Sequence, residues 1–166
     1  MVRAVVLLAF AVVWVLAPAG AVAEPAGAAV STLWAAPLPQ VAVTRPFDVL
    51  PSRYTAGHRG VDLAGAPGSP VLAAGDGVVA FAGTVAGRPV VSVDHPGGLR
   101  TTYEPVDPSV GAGQAVARGS PLGTLRTGHA GCPVAACLHW GLRRGEDYLD
   151  PLALLAVPRV RLLPLY

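Results

Sequence analysis

The chain has 166 residues, of which 52% are apolar and 13% are charged, and its formal net charge is +2. This composition fits one folded domain with a hydrophobic core and excludes a disordered chain. All twelve cationic residues are arginine, so the chain is not a phosphate-loop NTPase, a Schiff-base enzyme or a lipoyl or biotinyl carrier, each of which needs a lysine. The longest run of like charge is a pair of arginines, and we expect no nucleic-acid partner.

The first 23 residues have the layout of a secretory signal peptide. Arg3 gives a positive start, residues 4–17 are an uninterrupted apolar run, and Ala21-Val-Ala23 is a small-x-small cleavage site. An uncleaved membrane anchor is the alternative, because residues 4–23 carry no charge over a length that could span a bilayer. Either interpretation predicts that the body of the chain lies outside the cytoplasm without a cytosolic partner, and that it contacts the membrane only if the leader is uncleaved.

The segment 24–40 is rich in Ala and Pro and is predicted to be a loose tether. From residue 41, short alternating apolar segments are separated by turns that contain Gly or Pro, which is typical of antiparallel strands. We predict a mainly β domain over residues 41–157, with little helix, followed by a tail at 158–166. The predicted strand segments are Val41–Val43, Val61–Leu63, Val71–Ala73, Val78–Phe81, Val90–Val93, Thr101–Tyr103 and Leu138–Leu142.

The glycine-rich segment 110–123 resembles the hairpin of the barrel-sandwich hybrid fold. Glycines would form the turns, while Val116 and Leu122 would face the core. The fold class expected for the domain is therefore a barrel-sandwich hybrid-like arrangement of antiparallel sheets of short strands. Leu152–Val157 is the one helix-like stretch, and it is short.

The two cysteines, Cys132 and Cys137, enclose only four residues. In an oxidising compartment such a pair is expected to form a disulfide. Closing so short a loop would stabilise the fold by about 2 kcal/mol in the chain-entropy model. Two buried thiols and a pair of metal ligands are the alternatives, although a single pair with this spacing is a weak signal for structural zinc.

A histidine and an aspartate in the first half of the domain could bind a metal. Val61 and Leu63 predict one buried face of a strand, which leaves Asp62 on the opposite face. His58 lies four residues earlier, roughly 13 Å away at Cα on an extended strand, so a bend near the flanking glycines is required. Imidazole and carboxylate together suit Zn²⁺, whereas a surface histidine beside a strand aspartate is the plain alternative.

A second histidine lies on a predicted strand of alternating faces. Leu138, Trp140 and Leu142 would point to one side, which leaves His139 on the other side with Gly141. A histidine held in this way next to the predicted disulfide is expected to be a ligand rather than a loose surface group. Spacing alone does not establish that it meets the first two residues.

The stretch from residue 43 to residue 155 resembles the lysostaphin/LytM-type zinc peptidases, which cut peptide cross-links in bacterial peptidoglycan. The combination and order of several short motifs carry the resemblance, and no single motif is specific. These motifs are Thr44-Arg-Pro-Phe47, Gly57-His58-Arg-Gly60-Val-Asp62, Val71-x-Ala73-x3-Gly77-x-Val79, Asp94-His95-x-x-Gly98-x2-Thr101-x-Tyr103, Gly113-x2-Val116-x2-Gly119-x3-Gly123, Leu138-His139-Trp140 and Asp150-Pro151.

The resemblance implies that Zn²⁺ is the cofactor and that its ligands are His58, Asp62 and His139. Zinc bound by two histidines and one carboxylate, with an open position, can activate water and polarise a peptide carbonyl. The resemblance also implies peptidoglycan peptides as partners and a secreted or wall-associated location in a bacterium.

Two histidines of the family pattern are replaced. Where the family has His-x-His the chain has Cys137-Leu-His139, and where it has Tyr-x-His the chain has Tyr103-Glu-Pro105. The resemblance gives these two histidines the roles of general base and transition-state stabiliser. Because acid–base help contributes about 10²- to 10⁴-fold, we expect their loss to slow the reaction severely without abolishing it.

Three residues are candidate catalytic replacements. Glu104 could act as a base, although an extended strand would turn it to the face opposite position 105. His129 could swing over the metal from a loop that the disulfide would hold next to His139, or it could be an exposed loop residue. Tyr103 could bond a ligand or stabilise an oxyanion, or it could belong to the core. His95, before a Pro-Gly-Gly segment, is expected to be a turn residue and not a ligand.

Three functions remain open from the sequence. The first is a zinc-dependent endopeptidase or amidase-like hydrolase of peptidoglycan with weakened catalysis. The second is a catalytically inactive zinc-binding module that binds wall peptides or regulates another hydrolase. The third is a structural barrel without a metal, which the retained ligand trio argues against.

Overall fold

The computed structural model describes residues 33–52 and 54–156 of the chain. The predicted leader, the first part of the predicted tether and the predicted tail lie outside the described residues. Across the ranges that are described, no helix is both long and apolar enough to cross a membrane.

Within these ranges eleven strands form two antiparallel sheets, which confirms the prediction of a mainly β fold. The larger sheet has the strand order β1-β2-β10-β6-β5-β4-β8, with β11 paired to β10, and the smaller sheet has the order β3-β9-β7. The strands are β1 (Val43–Arg45), β2 (Gly60–Gly65), β3 (Pro70–Leu72), β4 (Gly77–Val85), β5 (Arg88–His95), β6 (Leu99–Glu104), β7 (Val106–Pro108), β8 (Ala115–Val116), β9 (Pro121–Leu125), β10 (Ala136–Arg144) and β11 (Asp147–Leu149). Two short 3₁₀ helices cover Pro96–Gly98 and Pro151–Leu155.

The predicted hairpin over residues 110–123 is wrong in its pairing. β8 pairs with β4 in the larger sheet, whereas β9 pairs with β3 and β7 in the smaller sheet. Val116 and Leu122 are both buried, as predicted, but they reach the core from different sheets. The turn at Gly119, which has a φ of 80°, therefore connects the two layers rather than two partner strands.

The described part of the predicted tether packs on the domain. Leu38 is 3% exposed and belongs to the core. The Ala35 N–H donates to the Ala74 carbonyl at 2.8 Å, which ties this segment to the body. The prediction of a loose tether is therefore wrong for residues 34–38, because the apolar side chains that occur among the alanines and prolines are used as core.

The larger sheet has an apolar face and a polar face. On β10, Leu138 and Trp140 are fully buried in the core between the sheets, so strand alternation turns His139 to the opposite face. The strand register pairs His139 with Asp62 of β2 and with Glu104 of β6. Polar groups from three adjacent strands are therefore presented side by side.

Tyr103 occupies the core and not the polar face. It is fully buried and lies opposite Trp140 in the strand register. Its hydroxyl accepts a hydrogen bond from the Ala74 N–H at 2.9 Å and lies 2.9 Å from Thr101 Oγ1. Burial raises the pKa of Tyr103 to about 12, because a phenolate is poorly solvated there. Tyr103 is therefore a core residue, the second of the two roles expected from the sequence, and the structure does not bring it to the metal-binding candidates.

The buried phenol of Tyr103 predicts a loss of stability in alkali. The folded state keeps its proton up to about pH 12, whereas the ordinary phenol pKa is 10.0. Above pH 10 the folded state binds the extra proton, so the free energy of unfolding falls by up to about 1.4 kcal/mol per pH unit. Urea titrations at several pH values between about 9 and 11.5 measure this slope.

The Tyr103→Phe variant serves as the comparison, because it keeps the ring and removes the ionisable group. Its stability is lower at neutral pH, since Ala74 loses its acceptor, but it should depend less steeply on pH in the alkaline range. Equal alkaline slopes for the two proteins would contradict the assignment of Tyr103 to the core.

Candidate metal centre

His58 lies on the loop before β2, which solves the spacing problem posed by an extended strand. The strand begins at Gly60, and the His58 side chain points towards it, so that Nε2 is 2.9 Å from Oδ1 of Asp62. The loop is held because the His58 N–H donates to Oδ2 of Asp48 at 2.8 Å. The required bend therefore lies in the backbone before the strand.

The three predicted ligands converge on one point. Asp62 Oδ1 is 2.9 Å from His58 Nε2 and 3.0 Å from His139 Nδ1, and the two nitrogens are 3.0 Å apart. His58 and Asp62 are buried, whereas the His139 side chain is 21% exposed. The cluster therefore has a protected base and one open side.

The Pro46 carbonyl sets the tautomer of His58. Its oxygen lies 2.6 Å from Nδ1. Because a carbonyl only accepts hydrogen bonds, Nδ1 carries the proton of the neutral imidazole. Nε2 then presents its lone pair to the cluster, which is the orientation that a metal ligand needs.

The contacts within the cluster favour a positive charge. The anionic Asp62 Oδ1 lies 2.9 and 3.0 Å from two imidazole nitrogens, which lie 3.0 Å from each other. A cation placed among these three atoms would stabilise them together.

The size of the cluster fits zinc. The corners of an equilateral triangle with edges of 3.0 Å lie about 1.7 Å from its centre (3.0/√3), which is shorter than the Zn–N and Zn–O bond lengths of about 2.0–2.2 Å. An ion displaced from the plane of the triangle can therefore bond all three atoms at these lengths. Two imidazole nitrogens and one carboxylate oxygen are also a donor set that zinc prefers.

The Asp62 carboxylate is ionised in the folded chain. Burial by itself would raise its pKa, but the hydrogen bond with His139 and the charges of His129 and His58 outweigh burial and lower the pKa of Asp62 to about 2. Asp62 is therefore ready to bind a cation at any physiological pH.

His129 reaches the cluster from the loop after β9. Its Nε2 is 3.1 Å from Asp62 Oδ2, the carboxylate oxygen that the other two histidines leave unused, and its side chain is 13% exposed. The ring stacks on His139 with centroids 5.9 Å apart and an interplanar angle of 22°. The Cys132–Cys137 disulfide joins this loop to β10. The structure therefore places His129 against the ligand set and not in solvent.

Glu104 also lies beside the cluster. Its side chain is on the same sheet face as its cross-strand partner His139, because the alternate residue Tyr103 points to the core. Glu104 does lie on the face opposite position 105, but this is the face that carries His139 and the other metal-binding candidates. Its Oε1 is 2.5 Å from Nε of Arg88, an ion pair that already engages the carboxylate.

A groove of about 260 Å³ extends from His139 along the polar face. It is lined by Arg59, Thr102, Glu104, His139, Gly141, Leu142, Arg143 and Tyr148. Arg88 and most of these lining residues belong to no motif in the sequence. Strand alternation in β6 and β10 could have identified the lining residues that lie on those strands. The Pro46 carbonyl, which contacts His58, is a main-chain group that no side-chain pattern predicts.

Two glycines lie next to His139, and one of them, Gly141, lines the groove. A Cβ on Gly60 would lie 2.7 Å from His139 Cε1 and 2.6 Å from the Trp140 carbonyl oxygen, which is too close for either neighbour. A Cβ on Gly141 would be 3.7 Å from its nearest neighbours, an ordinary contact. Gly60 is therefore needed for the position of His139, whereas Gly141 keeps the groove floor low.

His95 belongs to a separate buried network. It ends β5, with Nδ1 2.9 Å from the Asp76 carbonyl and Nε2 2.7 Å from Thr101 Oγ1. Burial lowers its pKa, because the cationic imidazole is poorly solvated there. The structure keeps His95 apart from the three converging ligands.

Comparison with known proteins gives the family. Residues 56–151, more than half of the chain, match the model of Peptidase family M23. The uncharacterized protein Rv2891 of Mycobacterium tuberculosis is 55% identical over 131 residues, which are 76% of this chain and 53% of that protein. The chain therefore spans about half the length of the curated relatives it matches.

Solved structures share the fold. Helicobacter pylori Csd3 is similar with a TM-score of 0.63 and 26% identity, over 80% of this chain and 35% of that chain. A zinc containing peptidase from Vibrio cholerae is similar with a TM-score of 0.59 and 22% identity, over 74% of this chain and 39% of that chain. The family match and these folds agree with the LytM-type resemblance that the sequence motifs carry, and the chain belongs to peptidase family M23.

Proposed function

We propose that this protein is a zinc-dependent hydrolase of cross-link peptides in bacterial peptidoglycan, acting outside the cytoplasm. The observation that carries the proposal is the convergence of Asp62 Oδ1, His58 Nε2 and His139 Nδ1 within 3.0 Å of one another. Membership of a peptidase family supports hydrolysis of peptide bonds. The zinc containing peptidase of similar fold supports the choice of metal, and the signal-like leader supports the location.

The ligand set and the groove have separate tasks in this proposal. Zinc held by three protein ligands with an open position lowers the pKa of bound water and polarises a peptide carbonyl. Asp62 and the bare nitrogens of the two histidines hold the ion, and the Pro46 carbonyl keeps His58 oriented. The groove beside His139 receives the peptide, and the low floor at Gly141 admits its backbone.

His129 is the residue that we assign to proton transfer. It is an imidazole within contact of the ligand carboxylate, on the partly exposed side of the cluster, and it can supply the acid–base chemistry that the replaced histidines have in the family resemblance. Glu104 is the less suitable base, because Arg88 already occupies one of its carboxylate oxygens.

A second candidate function has its own observation. Cys137 and Pro105 stand where the LytM-type pattern has histidines, so the domain could hold zinc and bind wall peptides without cleaving them. Such a module would regulate another hydrolase or anchor the chain at the wall. The two candidates share the metal and the groove and differ only in turnover.

Removal of one ligand should abolish tight zinc binding. Equilibrium dialysis followed by metal analysis should find one Zn²⁺ per wild-type chain. Loss of a ligand-supporting group costs about 10- to 100-fold in metal affinity, and Asp62→Asn, which loses a ligand charge itself, should cost at least as much. Asp107→Asn is the matched control, because Asp107 is half exposed and pairs only loosely with Arg126 at 3.6 Å. Equal zinc affinity in both variants would refute the assignment of Asp62.

The two glycines of the groove should respond differently to a methyl group. Gly60→Ala places a Cβ against His139 and the Trp140 carbonyl, so it should displace the ligand and weaken zinc binding at least about tenfold. Gly141→Ala makes only ordinary contacts and should bind zinc as wild type does. Isothermal titration with zinc measures both affinities, and wild-type affinity in Gly60→Ala would show that the close approach of Gly60 to His139 is not needed.

Substitution of His129 should lower turnover even when zinc is saturating. On purified peptidoglycan, measured by newly released amino groups, His129→Ala should lower kcat about 10²- to 10⁴-fold and should change the pH dependence of kcat. Glu104→Gln should lower kcat less than about tenfold, far below the effect expected for a general base. A larger effect for Glu104→Gln than for His129→Ala would reverse the assignment.

Zinc and chelator provide the controls for the same assay. Activity should disappear with chelator and return with added Zn²⁺. A wild-type chain that holds one zinc and releases no peptide ends at stoichiometric amounts would favour the inactive binding module over the hydrolase.

A further inference from the structure

We propose that Cys132 and Cys137 are positioning residues, and that their disulfide holds His129 against Asp62 so that this histidine joins the centre only in the oxidised chain. This inference rests on the proposed function, since it concerns the assembly and regulation of the same site. It assigns a task to the cysteine that stands in place of a family histidine.

The strand end of the disulfide is a fixed anchor. Cys137 is fully buried on β10, two residues before His139, and pairs in register with Ala64 of β2. Its Sγ lies 3.6 Å from Oγ1 of Thr44 on β1. Three strands of the larger sheet therefore surround this sulfur, and it moves only if the sheet does.

A short path leads from this anchor to His129. The disulfide connects Cys137 to Cys132, and the Cys132 N–H donates to the carbonyl of His129 at 3.2 Å. The His129 side chain then contacts Asp62 at 3.1 Å. Cys132 is thus joined to the anchor by the disulfide and to the backbone of His129 by one hydrogen bond.

Among the described residues, few hydrogen bonds tie this loop to the strands. At its start, the Arg126 N–H donates to the Pro105 carbonyl at 3.0 Å. His129 is flanked by Gly128 and Gly131, both at positive φ (97° and 80°), where other residues would be strained and the backbone is intrinsically free. Without the bridge, the His129–Asp62 contact would have to offset the conformational entropy of several residues, each of which costs about 1–2 kcal/mol to order.

Reduction would therefore remove His129 from the centre and leave the ligands. A dithiol such as dithiothreitol transfers two electrons and two protons to the bridge, which becomes two thiols, while the reagent closes to its cyclic disulfide. His58, Asp62 and His139 lie outside the loop, so the three ligands remain converged. The intact site would then form only where disulfides persist, outside the reducing cytoplasm.

The direct test follows the accessibility of His129 in the metal-free chain. Oxidised chain, and chain reduced and then freed of reagent under anaerobic conditions, are treated with diethyl pyrocarbonate, and modification of each histidine is followed by mass spectrometry. Reduction should raise the modification rate of His129 several-fold. His95 is the internal control, because it is buried, is hydrogen-bonded to Asp76 and Thr101 outside the disulfide loop, and should stay protected if the fold is retained.

The Cys132→Ala/Cys137→Ala double variant should behave like the reduced chain and should not respond to dithiol. An unchanged rate for His129 in both the reduced chain and this variant, with His95 protected, would overturn the proposal. These measurements need neither zinc nor turnover, so they stand even if the hydrolase proposal fails.

A second measurement separates positioning from general support of the fold. In the wild-type chain at saturating zinc, loss of the bridge should lower kcat towards that of His129→Ala. In the His129→Ala background, loss of the bridge should have no further effect on kcat. A further loss of the same factor in that background would show that the disulfide acts on the structure as a whole and not through His129.

Discussion

The three converging acceptor atoms of His58, Asp62 and His139 are the constraint on which the account depends. The Pro46 carbonyl holds a proton at Nδ1 of His58 and so directs Nε2 towards the cluster, and the lowered pKa of Asp62 keeps its oxygen anionic. A cation among these atoms would stabilise the cluster. Strand alternation keeps the side chains on this face, because the neighbours Val61 and Leu63 on β2 and Leu138 and Trp140 on β10 are buried in the core. The fold therefore presents the three side chains together, as the proposed metal centre requires.

Much of this could be predicted because strand alternation is a local property. Leu138 and Trp140 on one face imply His139 on the other, and Val61 and Leu63 do the same for Asp62. The close cysteine spacing likewise predicted the disulfide that the structure contains. Family motifs supplied what alternation could not, namely that β2 and β10 are neighbours although about 80 residues separate their ligands.

The rest depended on tertiary contacts that leave no local signal. The Pro46 carbonyl is a main-chain group, so nothing in its side chain marks it as a partner of His58. The hairpin expected around Gly119 failed because a turn between two sheets has the same glycine pattern as a turn between two partner strands. Alternation correctly places Glu104 on the face opposite position 105. It does not show that this face carries the metal-binding candidates, because that depends on the register between Glu104 and His139.

The most direct test of the central claim is X-ray absorption spectroscopy of the zinc-loaded chain. The account predicts a first shell of nitrogen and oxygen at about 2.0–2.1 Å, with the scattering pattern of two imidazoles and no sulfur. A sulfur shell at about 2.3 Å would place zinc at the cysteines, and a shell without imidazole would place it elsewhere on the chain. Either result would contradict a metal centre built from His58, Asp62 and His139.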